Sequence, residues 1–96
     1  MPNVFVVNKS GHDFSAAEKY GSIVFLNEGP INRYAVNHMH RIFTERMESS
    51  EKVDYIVPCS LNVMNSIASS VFTFKHGTLN LLLFRDGLYI ERNLVF

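Results

Sequence analysis

Short runs of β-favouring apolar residues alternate along this chain with stretches of helical period. Val4–Val7, Ile23–Leu26, Tyr55–Val57 and Leu79–Phe84 are the runs, each bounded by turn-forming residues, and they read as buried strands. Between the first two, Ser15-Ala16-Ala17-Glu18 has capping-box spacing: the hydroxyl caps the N3 amide and the carboxylate reaches back. Gly21 suits a helix stop, so a helix of one to two turns is predicted there. After the turn Asn27-Glu28-Gly29-Pro30, the residues Ile31, Tyr34, Ala35, His38, Met39, Ile42, Phe43 and Met47 recur at steps of three and four. That is an amphipathic helix running from Pro30, a good first-turn residue, to near Glu48. Ser60 can cap a second long helix with apolar positions at Leu61, Met64, Ile67, Ala68, Val71 and Phe72, ending at Gly77. Asp86-Gly87 is a hairpin signal, and Leu88–Arg92 returns as a fifth strand that Leu94-Val95-Phe96 can continue.

The order β-α-β-α-β-α-β-β predicts one three-layer α/β domain over residues 1–96. Right-handed crossovers give a mainly parallel five-stranded sheet with a C-terminal antiparallel edge hairpin. The expected strand order is 2-1-3-4-5, as in flavodoxin-like folds; another three-layer order is the alternative. Ninety-six residues allow one modest core, and an apolar fraction of 47% argues against disorder.

Charge narrows the partners. Nine basic residues balance nine acidic ones and no basic stripe occurs, so a nucleic-acid polymer is not expected. A small anion needs only a helix N-terminus and one or two cations. Cys59 is the only cysteine, which excludes an intramolecular disulfide and a Cys-rich zinc site. No leader-type segment and no apolar run near the ~18 residues of a membrane span are seen. The expectation is a cytoplasmic protein without membrane contact or cofactor.

The densest polar cluster follows the first strand: Asn8, Lys9, Ser10, Gly11, His12 and Asp13. In open α/β sheets ligands bind at the carboxyl ends of strands, at the switch point of strand order. In a 2-1-3 order that point lies between the loops Asn8–Asp13 and Pro58–Asn62. The second loop leads into a helix whose first turn offers free amides and the positive end of the helix dipole. Asn8, Lys9, Ser10, His12 and Asp13 are therefore expected on one wall of a phosphate or carboxylate cradle, and Ser60, Leu61 and Asn62 on the other. Lys9 would supply the countercharge, and Asn65 a further polar group. Plain capping by Ser60 and a turn at Gly11 are the competing reading. His12 beside Asp13 has the makings of acid–base chemistry; alternatively Asp13 caps the short helix and His12 bonds a neighbouring carbonyl.

Other polar features point to structure. His38 and His40 lie on different helix faces, so no zinc pair arises, and His38 falls on the apolar stripe as a core-edge or interface residue. Cys59 next to a helix N-terminus is either a buried thiol or one member of a Cys-His pair with His12. The apolar hairpin residues Leu88, Ile90, Leu94, Val95 and Phe96 lack the usual protection of a sheet edge. Homo-oligomerisation, by strand pairing or by face packing of the hairpin, is expected.

The run Val6-Val7-Asn8-Lys9-Ser10-Gly11-His12-Asp13 with Ala17 and Gly21, the run Asp54-Tyr55-Ile56-Val57 and the run Leu81-Leu82-Leu83 resemble small α/β proteins encoded by bacteriophages and prophages. The resemblance spans most of the chain and carries no assigned activity. Pro58-Cys59-Ser60 stands where a glycine-containing turn would be expected. Phage proteins of this size often oppose bacterial immunity, and some bind or cleave nucleotide signals; the resemblance implies such a role in the cytoplasm of a bacterial host. Three functions follow as expectations. The first is non-enzymatic binding of an anionic metabolite, foremost a nucleotide. The second is phosphodiester cleavage or transfer with His12 as acid–base and Lys9 or Ser60 stabilising charge. The third is a module that blocks a host protein through its hairpin or a helix face.

Overall fold

A computed structural model describes residues Met1–Phe96. Five strands form one sheet: β1 (Asn3–Val6), β2 (Ser22–Phe25), β3 (Tyr55–Val57), β4 (Thr78–Arg85) and β5 (Leu88–Val95). Their order is β2-β1-β3-β4-β5, the expected one of the three-layer orders. The first four run parallel, and β5 pairs antiparallel with β4. The chain steps from β1 outward to β2, then reverses toward β3 and β4. Right-handed crossovers in opposite directions put their connections on opposite faces. The short 3-10 helix Ser15–Tyr20 accordingly lies on one face, with α1 (Val36–Arg46) and α2 (Asn62–His76) together on the other.

The two-residue period of the strands divides the core. Phe5, Val7 and Ile56 meet Met39, Phe43 and Met47 of the α1 segment and Met64, Ala68 and Phe72 of α2. Val4, Val6 and Val57 point the other way, toward Phe14, Ala17, Leu82 and Tyr89. Each large side chain fully buried here contributes about 1.5–3 kcal/mol.

Local chemistry explains where the elements depart from expectation. α1 starts at Val36, not Pro30. Asn32 Oδ1 accepts the Tyr34 amide at 2.9 Å and the Asn32 carbonyl accepts the Ala35 amide at 3.0 Å, so a separate turn forms ahead of the helix. His38 is exposed, 3.0 Å from Arg41 Nη2, and not at the core edge. The Ser15/Glu18 capping box does not form. Asp13 Oδ1 takes the Ser15 amide at 2.9 Å, Phe14 occupies the cap position, and the segment winds as a 3-10 helix. Gly21 is extended, and close approach fixes it: a Cβ there would lie 2.1 Å from the Pro2 carbonyl oxygen. Gly77, at φ 69°, does close α2 in the left-handed conformation and donates to Thr73 O at 2.8 Å. Asp86 and Gly87 both have positive φ, the mirror-image turn that matches strand twist.

At the amino ends of the strands a buried polar network ties the elements together. Asp54 is 2% exposed. Its Oδ1 accepts the Asn3 amide at 2.9 Å and its Oδ2 the Glu51 amide at 2.8 Å. Asn80 Nδ2 donates to the carbonyls of Lys52 and Asp54, both at 2.8 Å, while its Oδ1 accepts from Asn93 Nδ2 at 2.9 Å. Nearby, His76 Nε2 lies 2.9 Å from the buried Ser50 hydroxyl.

Candidate functional site

The loops leaving β1, β2 and β3 converge at the carboxyl rim, and Asn8 joins them. Its Nδ2 donates to Ser60 Oγ at 3.1 Å, and its Oδ1 accepts from Asn27 Nδ2 at 2.7 Å. The Cys59 thiol donates to the Asn8 carbonyl at 3.4 Å. Backbone pairing continues past the strand ends, with the Val7 amide on Val57 O at 3.2 Å and the Lys9 amide on Asn27 O at 2.9 Å. This is the switch point of the strand order. The sequence places Asn27 only in a turn; its membership of the rim follows from β2 lying next to β1.

Ser60 is the unusual residue here. Its φ is 65°, a conformation costing about 1–2 kcal/mol for a residue with a Cβ. It does not cap α2; Leu61 takes the cap position, with no side-chain capping bond. Pro58 has no amide hydrogen, and the Cys59 amide is used by Asn65 Oδ1 at 2.9 Å. Asn65 therefore supports the loop rather than lining a cradle. The next four amides, of Ser60, Leu61, Asn62 and Val63, find no partner within the protein. They sit at the positive end of the fifteen-residue helix α2. Asn62 is exposed beside them, whereas the Leu61 side chain packs against the core and anchors the turn.

The rest of the polar cluster turns elsewhere. Lys9 pairs with Glu28 at 3.3 Å and lies 5.5 Å from the Phe25 ring centroid. The His12 ring sits edge-on to Phe14 and Phe84, at 5.0 and 4.6 Å between centroids. Its amide, not its ring, is bonded, to Ser10 Oγ at 3.3 Å. Asp13 is held by Ser15, whose backbone and side-chain hydrogen bonds keep the carboxyl below the usual range. Lys9, Ser10, His12 and Asp13 line a shallow cavity of about 320 Å³ with Phe14 and Phe25, on the face of the 3-10 helix. Among the expected wall residues, the side chains that are brought together are those of Asn8 and Ser60. The alternation of β1 stops at a bend at Val7: Asn8 reaches Ser60, while Lys9, which the period would send to the side of α1 and α2, lies beside Phe25 on the other.

The rim's chemistry is donation. Burial pushes the Cys59 thiol up, so it stays protonated and acts as a donor rather than a nucleophile. The His12 ring hydrogen-bonds neither Ser60 nor Cys59, so no nucleophile–base pair is assembled. No three His, Cys, Asp or Glu side chains converge as a metal site. Elsewhere, an open groove of about 1070 Å³ runs between α1 and α2, lined by Val36, His40, Thr44, Ile67, Val71 and Phe74. No helix is long and apolar enough to cross a membrane. Compared with protein-family models, with curated proteins and with solved structures, the chain matches none.

Proposed function

We propose that this chain is a non-enzymatic binding protein that holds a small anionic metabolite, a nucleotide foremost, against the first turn of α2. The observation that carries the reading is the row of four unpartnered amides from Ser60 to Val63, with Ser60 locked to Asn8 by a 3.1 Å hydrogen bond. Backbone donors at a helix N-terminus, fixed before the ligand arrives, suit phosphate or carboxylate oxygens. Lys9, turned toward Glu28 and the Phe25 ring, supplies countercharge only by leaving both and swinging to the rim. The exposed ion pair holds it by no more than about 1 kcal/mol, less than a phosphate contact returns. The resemblance to phage-encoded proteins makes nucleotide immune signals the first ligands to try, with sequestration as the role.

Isothermal titration against linear and cyclic nucleotides and inorganic phosphate tests this. Submillimolar binding is expected for at least one phosphate ester. Asn62→Pro then removes one amide of the row at a helix position that favours proline, after a residue already extended (Leu61 ψ 138°). The variant should keep its circular dichroism and lose at least about tenfold in affinity, the loss of one hydrogen bond to a charged group. Absence of binding across the panel at submillimolar concentration removes the proposal. Chromatography of the titrated ligand separates binding from turnover, and product lost in His12→Ala would convert the site to an enzyme's.

A further inference from the structure

β5 is one edge of the sheet, eight residues long, and no strand pairs with its outer side. The hairpin fixes which backbone groups lie there. A two-residue turn with both central residues at positive φ closes on a hydrogen-bonded pair, here Arg85 and Leu88. Every second residue from Leu88 then bonds to β4, and the Phe96 amide on Gly77 O at 3.1 Å keeps that parity. The N–H and C=O groups of Tyr89, Glu91, Asn93 and Val95 therefore point outward. No proline interrupts them, and the register with β4 is continuous from Leu88 to Val95. The same stretch leaves apolar side chains uncovered: Leu94 is 48% exposed, Val95 86% and Phe96 73%. A long, straight edge of this kind templates another strand.

We propose that β5 pairs antiparallel with β5 of a second copy of this chain, about a two-fold axis at Asn93, so that two sheets become one. A two-fold axis normal to the sheet sets residues of like face opposite each other, so it passes through a residue position. An axis at Glu91 or Arg92 puts identical charges directly opposite, which is unfavourable. An axis at Ile90 leaves Val95 and Phe96 outside the paired stretch, and one at Leu94 or Val95 sets most of β5 opposite positions outside the strand. At Asn93, Glu91 lies opposite Val95, Arg92 opposite Leu94, and Ile90 opposite Phe96. The three outward pairs each exchange two backbone hydrogen bonds. On the face that carries α1 and α2, Ile90, Leu94 and Phe96 of both copies come together, with each Arg92 lying between Ile90 and Leu94 and its aliphatic stem against the Leu94 opposite. Asn93 spends one Nδ2 proton on Asn80 Oδ1; its Oδ1 and second proton are left for the other copy's Asn93. The adjacent charges Glu91 and Arg92 thus choose a register rather than abolish pairing. The interface is small, on the order of 1000 Å² in total, the size of a transient association and not of an obligate dimer.

Sedimentation velocity from low to high micromolar protein tests the pairing, with a concentration-dependent shift from one chain mass to two expected. Glu91→Pro deletes an outward amide and no bond to β4, a substitution edge strands accept, so it should be monomeric throughout with an unchanged circular dichroism spectrum. Asn93→Cys gives a readout independent of that variant's folding. Paired residues of this type stand about 5.5 Å apart at Cα, inside disulfide reach, so mild oxidation should yield a covalent dimer. Leu88→Cys, five positions from the axis and so roughly 30 Å from its copy, should not cross-link. A wild-type chain that stays monomeric overturns the proposal. So does a dimer in which Asn93→Cys cross-links no faster than Leu88→Cys, or one that a natively folded Glu91→Pro leaves intact.

Discussion

The two ends of the sheet carry similar residues and use them oppositely. At the amino ends, Asp54, Asn80, Asn3 and Asn93 form a network in which Asp54 and Asn80 are buried and bonded. At the carboxyl ends, Asn8, Asn27 and Ser60 are bonded to one another but partly or fully exposed, and the amides behind Ser60 are unused within the protein. Asparagine, serine and aspartate thus hold the fold at one end and offer donors at the other. The difference is saturation: a polar group with every bond made inside the protein has nothing left for a ligand, and removing its partner is costly.

Substitutions can break that contrast. Gly21→Ala should have the largest effect. The added Cβ meets the Pro2 backbone oxygen where β1 and β2 start, and the 2.9 Å bond from the Ser22 amide to that oxygen leaves little room to move. A loss of about 3 kcal/mol or more in urea unfolding is expected. Asp54→Ala strands the amides of Asn3 and Glu51 together, and about 2–4 kcal/mol should be lost in the same measurement. Asn8→Ala removes comparable bonds at the exposed rim and should cost only about 1 kcal/mol, while weakening ligand binding. A loss from Asn8→Ala equal to that from Asp54→Ala would erase the distinction between the two ends. Ser60→Gly sharpens it further. Relief of the left-handed backbone is offset by chain entropy and one lost hydrogen bond, so stability should stay within about 1 kcal/mol of wild type.

The smallest expected effect is a pH dependence at the amino end. Burial, then Lys75, holds the His76 imidazole below its ordinary value of 6.5. The unfolded chain therefore binds this proton more readily than the folded one, and stability rises with pH between the two values. The contribution is complete above 6.5 and is lost as pH falls below it. Urea midpoints measured through that window should drift down on acidification, and the drift should shrink in His76→Gln. An equal drift in the variant would assign it to other groups.

How much of this is legible in the sequence differs by element. β1 and β3 are visible because Val, Ile, Phe and Tyr cluster between turn residues, the hairpin because leucine-rich runs flank Asp86-Gly87, and Gly77 and Asp86-Gly87 mark their turns through their own backbone preferences. The start of α1 is hidden because Ile31 and Tyr34 keep the helical spacing while Asn32 bonds its own backbone. At the site, Asn8, Ser60 and Asn62 can be placed at one rim from the strand order. The diversion of Lys9 to Glu28, and of His12 to Phe84, cannot, since both partners lie far along the chain.

Alternating periods of two and three to four residues, with right-handed crossovers, were enough to determine the element order and a mainly parallel sheet. Those preferences are local or generic to L-amino acids. The position of β1 between β2 and β3 is one of the orders they allow, and the tertiary structure selects it. Which members of the polar cluster share a surface was decided only by folding. A side chain's direction at a strand end depends on the last backbone pairing it inherits, and that pairing is made with residues distant in sequence. The Val7 amide finding Val57, with Asn8 turned to Ser60 in consequence, is such a tertiary fact.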